Sequence, residues 1–475
     1  MSTNSATRDS DSAIDLSTPR AIHLVGIGGA GMSAIADVLL AQGHTVTGSD
    51  LTMSRPAQRL AEQGATVFEG HNKANVGDIE LVAHSTAIPA DNPELVIAQE
   101  RGIPVLRRAE LLAAMTSAWR SISVAGTHGK TTTTAMLTVA LQAAGFDPAY
   151  IVGGDVVDLG HGAGVGTDRL LVVEADESDG TFIELDSFGV IVTNVEPDHI
   201  EFYGDFDRLR QAFVQFVAEA PGPRVICIDD PGARELAVQT PTAITYGQAD
   251  DARWQITSAA VDPDRRYAVS VTYDDQEFQF SLAQPGMHNA LNATAALAMA
   301  TALGAEPTRV AEGLTKFAGV GRRFERRGSV NGIDFVDDYS HLPTETAAAI
   351  SAAGQLGADR VVGVFQPHRY SRTQQLWDTF GDAFVGLDVL FITGIYSSGE
   401  APRPGITGEL VAQCVRQAHP HADVRYVEEL ADVPQTLAAE LRPGDLCLTM
   451  GAGDLTKVPD AIIAAIEASS TEGNA

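Results

Sequence analysis

A chain of 475 residues is too long for one compact core, and 44% hydrophobic content is that of a globular protein of several domains. A net charge of −30 argues against nucleic-acid binding and against anionic membrane surfaces. Any phosphorylated ligand must then be held by backbone amides, a few placed cations and metal ions. Three scattered cysteines, Cys227, Cys414 and Cys447, lack metal-ligand spacing and read as reduced, buried thiols.

Residues 1–17 are polar and read as a disordered tail without the apolar core of a signal peptide. No later run of about 18 apolar residues predicts a membrane span, so the chain is expected to stay in the cytoplasm. Over 18–112, short apolar runs (Ile22–Val25, Thr45–Thr47, Leu81–Ala83) alternate with helical stretches such as Met32–Leu40. That alternation predicts βαβ units on a parallel, Rossmann-like sheet. The first turn reads Gly26-Ile27-Gly28-Gly29-Ala30-Gly31, a G-x-G-x-x-G that follows a strand and opens a helix. Asp50 ends the next strand, where a dinucleotide fold places its ribose-binding acid. Such a loop recognises any diphosphate, so a nicotinamide cofactor and a nucleotide sugar both fit it.

A central domain is expected over 113–320. Its first strand, Ile122–Ala125, runs into Gly126-Thr127-His128-Gly129-Lys130-Thr131 and then a helical stretch, Thr132–Ala144. This is a shortened P-loop: turn amides cradle phosphate, Lys130 reaches the terminal phosphate, and the Thr131 hydroxyl can ligate Mg²⁺. Only four lysines exist (Lys73, Lys130, Lys316, Lys457), and one occupies the place this chemistry needs. Strand Leu170–Val173 ends in Glu174-Ala175-Asp176-Glu177-Ser178-Asp179, and strand Val190–Thr193 leads to Asn194-Val195-Glu196-Pro197-Asp198-His199. Strands of a parallel sheet aim their C-terminal ends at the ligand crevice, which makes Glu174 and His199 candidate metal ligands. Alternation over Tyr267–Tyr273 and Phe278–Leu282 predicts a small antiparallel patch, and Asn289–Leu303 reads as an Ala-rich helix.

The third domain, 321–475, again reads as Rossmann-like α/β. Strands Val361–Phe365, Val389–Thr393 and Leu446–Thr449 are separated by helical stretches such as Glu345–Leu356 and Gln374–Phe384.

Eight ordered stretches between Ile22 and Val458 together resemble the Mur ligase family, and within it the alanine-adding branch. They are GIGGAGMSAIA from Gly26, GTHGKTTT from Gly126, EADESDG from Glu174, NVEPDH from Asn194, HNALNATAA from His288, GVGRRF from Gly319, DDYSHLPTE from Asp337 and FQPHRYSRT from Phe365. The resemblance implies an ATP- and Mg²⁺-dependent ligase that joins L-alanine to the lactyl carboxylate of UDP-N-acetylmuramate in peptidoglycan precursor synthesis. It implies that Gly28, Gly29, Gly31, Asp50, His71, Ser85, Thr86, Ala87 and His128 meet the UDP-sugar rather than NAD. It assigns ATP to Gly126, Thr127, His128, Gly129, Lys130, Thr131, Thr132, Asn289, Asn292, Arg322, Arg323 and Tyr339, with Thr131, Glu174 and His199 on Mg²⁺. Around the amino acid it places Tyr339, His341, His368, Arg369 and Arg372. Lys130, His199, His341, Arg369 and Arg372 become the catalytic set. An arginine fork suits a carboxylate because it can be bidentate.

Two departures stand out. Leu342 replaces the second histidine of the usual Asp-Asp-Tyr-x-His-His stretch, leaving His341 as the remaining one. No lysine lies between Lys130 and Lys316, which removes the carbamylated lysine of some relatives from the central domain. Three other readings share features with this one: a muropeptide-recycling ligase, an NAD(P)-dependent dehydrogenase built on the first loop, and a nucleotide-binding regulator. The sequence leaves the oligomeric state open between a monomer and a weak homodimer.

Overall fold

The computed structural model describes residues 14–85 and 87–472. Residues 1–13 of the expected tail, and Thr86, lie outside them. Leu16, placed in that tail by composition, is buried, and Ile14 packs beside it on the first hydrophobic core. Residues 14–17 therefore belong to the folded body, because two apolar side chains among polar ones are enough to dock the segment.

Three sheets organise the chain. The first holds β1 (Ala21–Val25), β2 (Thr45–Asp50), β3 (Thr66–Glu69), β4 (Leu81–His84) and β5 (Val105–Arg107), in the order β3-β2-β1-β4-β5. All pairs are parallel; β1 sits centrally, with Ile22 opposite Val46 on one side and Leu81 on the other. Strand order reverses at β1, so the loop after it opens at a topological switch point, where ligands of such sheets bind. The helix Ala30–Ala41 follows that loop and buries Met32, Ile35 and Leu39 with Ile22 and Leu24.

The second sheet has ten strands: β6 (Arg120–Ala125), β7 (Ala149–Ile151), β8 (Ala163–Gly164), β9 (Leu170–Glu174), β10 (Gly189–Val192), β11 (Arg224–Cys227), β12 (Ile244–Gly247), β13 (Trp254–Val261), β14 (Tyr267–Tyr273) and β15 (Gln276–Leu282). Their order is β15-β14-β13-β12-β11-β10-β6-β9-β7-β8. β6 lies between β10 and β9, parallel to both. Three consecutive C-terminal strand ends thus converge on one edge. The helix Lys130–Ala143 is buried on nearly all sides, which explains why its sequence carries no polar face.

The third sheet comprises β16 (Glu325–Val330), β17 (Ile333–Asp338), β18 (Arg360–Phe365), β19 (Val389–Thr393), β20 (Asp423–Val427) and β21 (Asp445–Met450), in the order β16-β17-β21-β18-β19-β20. All its pairs are parallel except β16–β17.

These sheets fall into two compact units. One contains the chain up to Ile256 together with Thr272–Phe278 and Leu291–Leu314; the other contains Thr257–Val271, Gln279–Ala290 and the chain from Thr315 onward. Two expectations need correction. The helix Arg108–Ser117 runs through the proposed boundary at 112, so the chain passes from the first sheet to the second only after Ser117. The helix expected over Gln374–Phe384 is instead Tyr370–Leu376, followed by a 3₁₀ turn at Trp377–Thr379. Phe380 and Phe384 are apolar at helical spacing, yet turns rather than a helix bury them in the core. Among the described residues, no helix is long and apolar enough to cross a membrane.

Candidate functional site

The first glycine loop is tied to the end of β2. Gly26 and Ile27 donate their backbone N–H groups to the Ser49 carbonyl at 2.8 and 3.1 Å, and Gly28 donates to Asp50 Oδ2 at 2.8 Å. A side chain at Gly28 would put its Cβ 2.6 Å from Ser54 Oγ and 2.9 Å from Asp50, so glycine is required there. Gly29 caps the helix Ala30–Ala41, and Arg108, a residue outside the sequence-based assignment, brings Nη1 close to Gly31. Ser85 abuts Gly26, and its hydroxyl accepts from Ala87 N at 3.3 Å. His71 follows β3 and turns its Nδ1 onto Ser49 Oγ at 2.9 Å. Gly28, Gly29, Gly31, Asp50, His71, Ser85 and Ala87 are thus gathered at the ends of β1, β2, β3 and β4; Thr86 lies outside the described residues.

The second loop is braced by the segment after β10. His128 N donates to Asn194 Oδ1 at 2.8 Å, Thr193 Oγ1 donates to the His128 carbonyl at 2.5 Å, and Thr127 Oγ1 donates to the Glu196 carbonyl at 3.3 Å. His128 Nε2 lies 3.3 Å from Glu196 Oε2. Gly126 has φ of +139°, and a Cβ on it would sit 2.0 Å from Thr193 Oγ1. Gly126→Ala is therefore expected to cost about 3 kcal/mol from overpacking and backbone strain. Thermal unfolding measures that loss, and a second substitution, Thr193→Ala, should recover part of it. Gly129, with φ of +78°, faces Asn292, whose Oδ1 would be 2.6 Å from a Cβ. That contact delivers Asn292 to the phosphate loop.

Lys130 opens the following helix and turns back. Its Nζ donates to the Gly126 carbonyl at 2.8 Å, to Thr127 O at 3.3 Å, and to both Glu177 oxygens at 3.0 and 2.8 Å. Burial opposes the Lys130 charge, but Glu177, Asp176 and Glu174 outweigh it and hold the ammonium well above its usual range. Burial pushes the Glu177 carboxyl up to about 7, against the pull of Lys130. Thr131 Oγ1 donates to Glu174 Oε1 at 3.1 Å, and Gly153 N donates to Glu174 Oε2 at 2.7 Å. His199 has φ of +55°, and its Nε2 lies 3.2 Å from Asp198 and 3.9 Å from Glu177. Thr132 is buried in the first turn of the helix.

Among the described residues, no group of three or more His, Cys, Asp or Glu side chains is set as a self-sufficient metal site. Thr131 and Glu174 nonetheless form a hydroxyl–carboxylate pair beside a phosphate-type loop. That donor set fits Mg²⁺, which takes one or two protein oxygens and completes its shell with phosphates and water.

In the other unit the expected residues form an aromatic and cationic line. The Arg322 and Arg323 guanidinium carbons both lie 4.7 Å from the Tyr339 ring centroid. Tyr339 meets His341 edge-on at 5.7 Å, His341 meets His368 at 5.3 Å, and His368 stacks on Tyr396 at 5.9 Å. His341 Nδ1 faces the Tyr339 carbonyl at 3.1 Å, which places the proton on Nδ1. Arg372 Nη1 donates to His368 Nδ1 at 3.0 Å. Arg369 has φ of +63° and donates its backbone N–H to the Tyr396 carbonyl at 2.8 Å.

Arg322 and Asn289, also expected on ATP, have protein partners as well. Arg322 donates to the carbonyls of Gly451 at 2.8 Å and Gly453 at 3.0 Å, and Asn289 Nδ2 donates to the Pro285 carbonyl at 2.9 Å. Leu342 is buried at the start of the helix Pro343–Gly354, so in this chain that position is one of packing rather than polar contact. Residues missed by sequence reasoning are Glu177, Tyr396 and Glu400. Glu400 accepts from Ser371 N at 2.9 Å and Ser371 Oγ at 2.5 Å, anchoring the segment that carries Arg369 and Arg372. The Gly-Ile-Tyr-Ser-Ser-Gly-Glu stretch after β19 was the available signal.

Profiles of three Mur ligase domains match the chain in order: the catalytic domain over residues 21–120, the middle domain over 124–300 and the glutamate ligase domain over 322–453. This chain belongs to the Mur ligase family. As a Mur ligase it is 44% identical over 444 residues to the UDP-N-acetylmuramate–L-alanine ligase of Solidesulfovibrio magneticus, covering 92% of this chain and 96% of that one. The enzyme of the same name from Myxococcus xanthus is 44% identical over 92% of this chain and 93% of its own. Among solved structures, the UDP-N-acetylmuramate–alanine ligase of Thermotoga maritima superposes with a TM-score of 0.78 at 27% identity, covering 95% of this chain and all of that one. A murein peptide ligase from Psychrobacter arcticus shares the fold, with a TM-score of 0.65 at 23% identity over 94% of this chain and 98% of that one. Membership in this family replaces the dehydrogenase reading of the first glycine loop.

Proposed function

We propose that this Mur ligase joins L-alanine to the lactyl carboxylate of UDP-N-acetylmuramate, consuming ATP and releasing ADP and phosphate in the cytoplasm. The observation that carries the reading is the Lys130 ammonium, held between loop carbonyls and Glu177 beside the Thr131–Glu174 pair.

A carboxylate is a poor acyl donor, so the reaction needs an activated acid. The lactyl carboxylate oxygen attacks the γ-phosphorus of ATP, the bond to ADP breaks, and an acyl phosphate results. Lys130 is pre-oriented at a helix N-terminus, where backbone N–H groups and the ammonium together neutralise charge on the phosphoryl oxygens. Thr131 and Glu174, joined by His199, would hold Mg²⁺, which when bound shields the phosphate charges. The alanine amine then attacks the acyl carbon and phosphate leaves.

Arg369 and Arg372 suit the alanine carboxylate, since a guanidinium fork matches its geometry. Through its carbonyl partner His341 has the Nδ1–H tautomer, so its Nε2 carries the lone pair that can take the amine proton.

Phosphate release from ATP and Mg²⁺ should require UDP-N-acetylmuramate and L-alanine together. Release with a tripeptide but not with alanine would transfer the assignment to a recycling ligase. Release independent of both substrates would end the ligase reading.

A further inference from the structure

Glu94 is fully buried in the first domain. It stands at the start of the helix Pro93–Glu100 and faces groups from three segments, β1, β2 and the stretch after β3. On one oxygen, Asn75 Nδ2 donates at 2.6 Å and Asn72 N at 3.2 Å. On the other, Ser49 Oγ donates at 2.5 Å, with His71 Nδ1 at 3.3 Å and His23 Nε2 at 3.7 Å. Burial opposes its charge, but the nearby His23 ring and the hydrogen bonds from Ser49, Asn75 and Asn72 win and bring its pKa down to about 2. Glu94 is therefore an ionised carboxylate, which only accepts.

This fixes the direction of each bond around it. Ser49 has one proton, and Glu94 takes it. Ser49 Oγ, 2.9 Å from His71 Nδ1, is then left to accept, so Nδ1 carries hydrogen. The Nδ1 side of the His71 ring is covered by Ser49 and Glu94, while 13% of the side chain stays exposed. Both contacts of the ring are made through Nδ1, and among the described residues Nε2 has no hydrogen-bond partner. His71 follows β3, whose end is tied to β2 by the Gly70 N–H on the Asp50 carbonyl at 2.7 Å, at the edge where an open parallel sheet binds its ligand.

We propose that Glu94 is a positioning residue of the nucleotide site: through Ser49 it holds His71 in the Nδ1–H tautomer, so that Nε2 accepts a hydrogen bond from an N–H or O–H donor of the uridine. The inference rests on the first domain binding the UDP part of the substrate.

Glu94→Gln tests it with little change in shape. The Gln carboxamide would donate to Ser49, turn the Ser49 proton toward His71 Nδ1, and drive the ring to the Nε2–H tautomer. Calorimetric binding of UDP should weaken about tenfold or more, the scale of one lost hydrogen bond plus a donor facing a donor. Ligation should show a raised KM for the UDP-sugar with KM for ATP and alanine unchanged. In ¹⁵N-histidine spectra the His71 signal should switch tautomer, which mere loosening of the fold would not produce. Ser49→Ala, which breaks the relay without touching the Glu94 charge, should weaken UDP as well and serves if the first variant fails to fold. N3-methyl-UDP, 2′-deoxy-UDP and 3′-deoxy-UDP separate the three donors: the analogue that lacks the donor engaged by Nε2 should bind both proteins alike. UDP binding to Glu94→Gln as tight as to the native protein, or a native His71 in the Nε2–H form, overturns the proposal. A native protein that does not bind UDP overturns the nucleotide reading of the domain and the proposal with it.

Discussion

Lys130→Ala is expected to lower the ligation rate about 10³-fold or more, the range seen when a placed cation is removed from a phosphoryl-transfer site. The same change strands Glu177, which is buried and has both oxygens on Nζ. Breaking a buried pair from one side costs about 3–5 kcal/mol. Rate and stability should therefore fall together, and a second substitution separates them. Lys130→Ala with Glu177→Gln removes the stranded charge, so thermal stability should return while activity does not. The stability loss should also depend on pH. Burial already lifts the Glu177 carboxyl from 4.5 to about 7 with the ammonium in place, and removing the ammonium lifts it further. A carboxyl whose folded pKa exceeds its unfolded one binds its proton more tightly when folded, so stability falls as pH rises above the unfolded value. Unfolding measured at pH 5 and pH 8 should show the larger deficit at pH 8. A Lys130→Ala enzyme that keeps a tenth of the native rate would refute the assignment of Lys130 to the phosphates.

What could be read from the chain and what could not follows from how each residue reaches its place. The phosphate loop was legible because strand, glycine turn, lysine and helix are contiguous, and the physics of the turn acts within those few residues. Glu174 was legible by its position at a strand end. Glu177 lay in the same acidic run, but only the turn after β9 decides that it, rather than Asp176 or Asp179, meets Lys130 in a bidentate pair. Glu94 had no local signal: it is one acid at the start of a short helix, and its partners Ser49, His71 and Asn75 arrive from other parts of the first domain. Tyr396 stood in a recognisable glycine-flanked stretch, but its stacking on His368 joins loops after β18 and β19, which no local pattern shows.

The helix expected over Gln374–Phe384 failed for a related reason. Its apolar spacing was real, but the helix begins at Tyr370, directly after a strained Arg369, and gives way to a 3₁₀ turn from Trp377. Leu342 shows the opposite case. The sequence marked it as a departure in a functional motif, and the structure turns its side chain into the protein.

The strain at Arg369 leads to the second large effect. Its φ of +63° with ψ of 140° is a region that non-glycine residues enter at a cost of about 1–3 kcal/mol. The conformation is held by the bond from its own N–H to the Tyr396 carbonyl, and its Nε is buried without a hydrogen-bond partner among the described residues. Backbone strain of this kind persists only where the surrounding structure fixes it, and the proposed role of Arg369 on the alanine carboxylate gives a test of what it serves. Arg372, one turn along the same helix, is steered by His368. Losing a charge-assisted contact to a carboxylate costs about 1.5–3 kcal/mol, which places the expected rise in KM for alanine at about 10- to 150-fold for Arg372→Ala. Arg369→Gly should raise KM for alanine to a similar degree, yet leave the protein at least as stable as the native form, because glycine occupies that backbone region freely. KM for ATP and for the UDP-sugar should stay unchanged in both. A loss of stability in Arg369→Gly would show that the side chain serves the fold. An unchanged KM for alanine in both variants would remove the arginine pair from the amino-acid site.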